Sequence, residues 1–147
     1  MIHISLDTLS DYKVWVISDL HLGHGKDFIL KPRGYTTVEQ ATKHIFDSLR
    51  ASIGPNDVII NLGDAICGAG METRELASQL VYLPCRAHYY IWGNHNAGMM
   101  DVYNEIRSEK GLLADNIEIY PARVPNSNFI FIGDIAKFTI DGRQVVL

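Results

Sequence analysis

Three short apolar runs each break off into a polar turn, and that repetition limits what this chain can fold into. Val14, Trp15, Val16 and Ile17 lead into Ser18-Asp19. Val58–Asn61 leads through Leu62 into Gly63-Asp64, and residues 88–92 close on Gly93-Asn94-His95. Branched and aromatic side chains in runs this short favour strands. Between the first two runs, Thr37 and Gln40 have the spacing of a capping box, and Val38, Ala41, Ile45 and Leu49 recur on one helical face until Gly54-Pro55. Leu76, Leu80 and Leu83, stopped by Pro84, give a second helical stripe between the second and third runs. The order strand, helix, strand, helix, strand predicts an α/β sheet with parallel neighbours, and ligands gather at the carboxyl ends of such strands. All three turns then open on one edge.

Further along, residues 100–110 read as a helix ended by Gly111, and residues 117–120, 129–132 and 138–140 as short strands. Asp141-Gly142 is a hairpin signal, and residues 145–147 read as the start of another strand. A domain seldom ends on unpaired apolar backbone. The expectation is one domain over residues 1–147, incomplete at its C-terminus or with its last strand completed by another segment. The apolar content of 47% over 147 residues suffices for a continuous core.

A net charge of -4 argues against a broad basic surface for nucleic acid. The start has no basic leader with a long apolar stretch, and no apolar run approaches the roughly 20 residues that span a bilayer. A cytoplasmic protein without a membrane partner is expected. Cys67 and Cys85 read as buried thiols, Cys67 being a minor candidate beside the site, because two cysteines in a chain of this size are no disulfide framework.

The turns carry the chemistry. Asp19 and His21 offer a hard oxygen and a borderline nitrogen, a pair that suits Mn, Fe or Zn better than Ca. Asp64 has two oxygens and can bridge two ions; Asn94 and His95 add a neutral oxygen and an imidazole at the same edge. Each pair alone is ordinary turn chemistry. Three of them at one sheet edge call for a single explanation, a metal site. In the loop after His21, His24 and Arg33 are candidate phosphate contacts, with Lys26 and Lys31 nearby. His44 and His88 read as structural, as do Tyr89, Tyr90 and Trp92.

In that order, Asp19-x-His21, Gly63-Asp64 and Gly93-Asn94-His95 resemble the first three signature blocks of the calcineurin-like metallophosphoesterases. The stretch Asp19-Leu20-His21-Leu22-Gly23-His24 is most similar to small bacterial and phage-type members. The resemblance implies a layered sandwich of mixed β-sheets flanked by helices. It implies two divalent metal ions, Mn favoured among Mn, Fe, Zn and Ni, with Asp19 and His21 on the first, Asp64 bridging both and Asn94 on the second. His95 would sit beside the substrate, stabilising the transition state or protonating the leaving oxygen, and a metal-bridging hydroxide would attack a phosphate mono- or diester.

Two departures stand out. The family usually follows Asn-His with an acidic residue, where this chain has Asn96; and it takes further ligands from later histidines, whereas no histidine follows His95. A noncatalytic, metal-supported α/β binding module and a single-metal hydrolase using Asp19, His21 and Asp64 therefore stay open as alternatives. Natural substrate and oligomeric state are not encoded in these motifs.

Overall fold

The computed structural model describes residues 1–7, 11–68 and 71–147, with Met71 described by its backbone alone. In chain order the elements are β1 (Ile2–Leu6), β2 (Val14–Ile17), α1 (Asp27–Leu30), α2 (Val38–Ser52), β3 (Val58–Asn61), α3 (Met71–Val81) and β4 (Ala87–Tyr90). There follow α4 (Met99–Glu109), β5 (Ala122–Arg123), β6 (Phe129–Phe131), β7 (Ala136–Ile140) and β8 (Arg143–Val146). The three apolar runs are thus strands β2, β3 and β4, separated by helices as expected.

Two mixed sheets result. The larger has the order β2-β3-β4-β6-β5, with β2, β3, β4 and β6 parallel and β5 antiparallel at the edge. The smaller has the order β1-β7-β8, with β1 parallel to β7 and β8 returning antiparallel. Helices α2, α3 and α4 pack on the larger sheet around Phe46, Leu80 and Tyr103, while the two sheets enclose a second core of Ile60, Ile91, Ile130 and Phe138. Strand β3 lies between both cores: Ile59 enters the helix-side core and Ile60 the inter-sheet core. Burial on two faces explains why its run is apolar without alternation.

The start of α2 follows from its sequence. Thr37 Oγ1 accepts from the Gln40 N–H at 3.1 Å, whereas the Gln40 side chain reaches back to the Thr36 N–H at 3.0 Å, one residue earlier than a capping box requires. Among the described residues no helix is long and apolar enough to cross a membrane.

Three sequence expectations need correction. Strand β1 was not anticipated, although Ile2-His3-Ile4-Ser5-Leu6 alternates apolar and polar residues and exposes His3 and Ser5; its partner β7 lies at the far end of the chain. Residues 117–120 do not form a strand. Side chains of α4 take up their backbone groups instead: the Tyr103 hydroxyl accepts from the Ile119 N–H at 3.0 Å and donates to the Ile119 carbonyl, and Arg107 Nε donates to the Ile117 carbonyl at 2.7 Å. Residues 145–147 do not begin a strand of their own. The strand starts at Arg143, directly after left-handed Asp141 and Gly142, and Leu147 exchanges both backbone hydrogen bonds with Ala136.

Asp57 joins the entries of β2 and β3. Its carboxylate, 8% exposed, accepts from the Lys13 N–H at 2.8 Å, Trp15 Nε1 at 2.9 Å and the Gly54 N–H at 2.9 Å. The Lys13 N–H, then Trp15 and Gly54, hold the carboxyl below its ordinary value of 3.8. A depressed carboxyl stabilises the fold above that value, and the contribution fades as pH falls through the folded-state pKa. Asp57→Ala is therefore expected to lose about 2–3 kcal/mol at pH 7, with a smaller difference from the wild type near pH ~3. Urea denaturation at both pH values checks this, and a difference that grows on acidification contradicts it.

Candidate metal centre

The three turns after β2, β3 and β4 stay paired beyond the strands themselves. The Asp19 N–H donates to the Gly63 carbonyl at 3.3 Å, the His21 N–H to the Asp64 carbonyl at 3.1 Å and the Leu22 N–H to the Ala65 carbonyl at 2.8 Å. Parallel bridges then link Leu22 to Ile66 and Ile66 to Asn96. The polar turns are therefore held side by side by backbone bonds, which is why their side chains converge.

Asp19, His21 and Asp64 all have left-handed backbone, with φ of 54°, 49° and 49°. Such a conformation costs a non-glycine residue of order 1–3 kcal/mol, and strain of this kind concentrates at functional sites. Glycines allow the closest approach. A Cβ on Gly93 would lie 2.1 Å from Asp64 Oδ1, and one on Gly63 would lie 2.4 Å from the Gly93 nitrogen.

Ligand atoms of His21, Asp64 and His95 all lie within 4.8 Å of one another. His95 is bound to Asp64 twice, through its N–H to Oδ1 at 2.9 Å and through ring Nδ1 at 3.4 Å from Oδ2. The rings of His21 and His95 are 5.3 Å apart between centroids. The His95 backbone N–H holds the Asp64 carboxyl below the usual range against the effect of burial, assisted by the His95 ring and the Asn94 N–H. Asp19 joins through His21, whose Nε2 is 3.5 Å from Asp19 Oδ1, while Ser18 Oγ donates to Asp19 Oδ2.

The other expected residues are placed as follows. Asn94 is exposed at the rim beside His95. His24 stands against His21 with ring centroids 5.8 Å apart, and burial, followed by the charges of His21 and His95, pushes it below the ordinary imidazole value. Arg33 gives Nη1 to the Leu20 carbonyl at 3.0 Å and Nη2 to the Asp19 carbonyl at 2.9 Å, so two of its donors secure the first turn. Asn96 donates to the Gly93 carbonyl at 2.8 Å and thereby closes the third turn; His95 takes its orientation from Asp64. Cys85 is buried, with its thiol pushed up to about 11, but Cys67, whose N–H donates to the Leu22 carbonyl at the edge of the site, is only half-buried, unlike the expectation. Both are free thiols.

The donors fit a divalent metal. Two imidazoles with carboxylate oxygens match the preference of borderline transition ions, and 4.8 Å is close to the roughly 4 Å between opposite ligands of one such ion. His21 Nδ1 is buried without a partner among the described residues.

A family pattern described as calcineurin-like phosphoesterase matches residues 12–145. The chain belongs to this family. Searches of curated proteins and of solved structures found no match. Calcineurin-like phosphoesterases are metal-dependent, which agrees with the donor set just described. The sequence shows all the turn residues and marks His88 as structural, but gives no role to Asn61, a buried polar residue that closes the otherwise apolar strand β3.

Two glycine variants separate close contact from backbone strain. Gly93→Ala should cost about 1–3 kcal/mol by overpacking against Asp64 and should shift the His95 amide resonance. Gly34→Ala, at φ +79° with nothing within 4 Å of its Cβ, should cost about 1–2 kcal/mol from conformation alone and leave that resonance in place. An unmoved His95 signal in Gly93→Ala argues against the contact.

Proposed function

We propose that this phosphoesterase domain, acting as one unit over residues 1–147, hydrolyses phosphate mono- or diesters with two divalent metal ions, Mn being favoured. The observation that carries the reading is the convergence, at the ends of separate parallel strands, of His21 and Asp64 as ligands with His95 beside them as proton donor, their donor atoms all within 4.8 Å. Asp19 and His21 would hold one ion, Asp64 would bridge, and Asn94 would serve the second. When bound, the metals supply charge to offset the phosphoryl oxygens and to acidify an attacking water.

The chain's own groups do the rest. Asp64, kept ionised by the His95 and Asn94 N–H groups, is a ligand that protons displace only in acid. His95, held by Asp64, delivers a proton to the ester oxygen as its bond to phosphorus breaks and water takes its place. His24 offers a hydrogen bond to a phosphoryl oxygen, and Arg33 fixes the Asp19-Leu20 backbone, its remaining N–H donors being available to substrate.

Purified protein with Mn should hydrolyse an aryl phosphate or a bis-aryl phosphodiester and lose this activity to a chelator. Asp64→Asn should lower turnover at least about a hundredfold. His95→Gln should lower it about 10²–10⁴-fold, more for an alkyl than for an aryl leaving group, since the better leaving group needs less protonation. Turnover that is indifferent to chelation or to Asp64→Asn rules the two-metal reading out, and no turnover at all with Mn added favours the noncatalytic metal-supported module.

A further inference from the structure

Beneath the metal centre, inside the core, lies a polar pair. Asn61, the last residue of β3, is 0% exposed, and His88 of β4 is 1% exposed. Asn61 Nδ2 lies 3.3 Å from His88 Nε2, and Asn61 Oδ1 accepts from the Gly63 N–H at 3.0 Å. Because Oδ1 is engaged by an N–H donor, the amide NH₂ faces the imidazole. His88 Nε2 is then the acceptor and Nδ1 carries the proton. Burial pushes His88 down to about 3, so the ring is neutral at ordinary pH. Its Nδ1 has no partner among the described residues, and the ring rests on Phe129 with centroids 4.5 Å apart.

Stability alone does not account for this pair. An orphaned buried N–H costs about 1–3 kcal/mol, and apolar side chains would fill the same space. What the pair reaches is the Gly63-Asp64 turn, where φ is +91° and then +49°. Gly63 and Asp64 are also the acceptors for the Asp19 and His21 amides, and Asp64 Oδ1 receives the His95 amide. A bond that fixes the Gly63 peptide is thus felt at every turn of the site.

We propose that Asn61 and His88 are positioning residues: His88 locks the Asn61 amide, and Asn61 holds the Gly63 peptide so that the Gly63-Asp64 turn, with Asp19 and His21 attached to it, is preset for metal. The metal part of this inference rests on the function proposed above, whereas its structural part does not.

The test has three readouts on the whole chain. In wild type, ¹⁵N NMR of the imidazole should report a neutral His88 with the proton on Nδ1 between pH 6 and pH 8. His88→Phe should retain the fold by circular dichroism, speed exchange of the Gly63 amide about tenfold, and weaken Mn²⁺ binding by calorimetry about 10–100-fold. His88→Gln, whose side-chain oxygen can accept from Asn61, should recover most of both losses. A proton on Nε2 overturns the inference even if His88→Phe fails to fold. So does Gly63 exchange unchanged in His88→Phe, or equal in the Phe and Gln variants. If wild type binds no Mn²⁺, the metal reading fails by itself, while the Gly63 exchange and the tautomer still decide the positioning claim.

Discussion

Everything at the candidate centre depends on how closely two turns approach, that of Gly63-Asp64 and that of Gly93-Asn94-His95. Side-chain atoms are excluded there: any Cβ on Gly93 would occupy the space of an Asp64 oxygen. The contact brings the Asp64 carboxylate against the backbone of its neighbour, where it accepts the His95 N–H and remains ionised. A short polar side chain in left-handed backbone is tolerated better than a bulky one, which suits Asp at positions 19 and 64. Geometry, charge state and strain at this edge share one origin, the omission of two side chains.

Around that contact the fold supplies parallelism. Strands β2, β3 and β4 end at the same edge because helices α2 and α3 return the chain to the opposite end each time. The backbone bonds from Asp19, His21 and Leu22 to the second turn carry the pairing beyond the strands. Arg33, Asn96 and Asn61 each satisfy a backbone group where regular pairing stops, so the turns are ordered without being helix or strand.

Much of this was legible in the sequence, and the failures are instructive. Apolar runs ending in polar turns located β2, β3 and β4, and β3 in particular, buried on both faces, has no polar residue before Asn61 at its end. The capping residue Thr37 marked the start of α2. Strand β1 was missed because its alternation covers just five residues and its partner is contributed by the last part of the chain. The segment 117–120 misled because its composition favours a strand, but Tyr103 and Arg107 outcompete a neighbouring strand for its backbone. At the site, residue types were readable and roles were not. Arg33 looked like a free cation for phosphate, yet two carbonyls thirteen and fourteen residues away hold it. His88 looked merely structural, since nothing in one sequence tells which buried group faces it.

Strand β3 sends Ile59 into one core and Ile60 into the other. Sliding this strand by one residue would exchange those two side chains between unlike surroundings, and would also carry Asp64 to the wrong side of its neighbours. Two separate hydrophobic compartments therefore proofread the alignment of a single four-residue segment, and mispaired intermediates are penalised twice before any ligand group is in place.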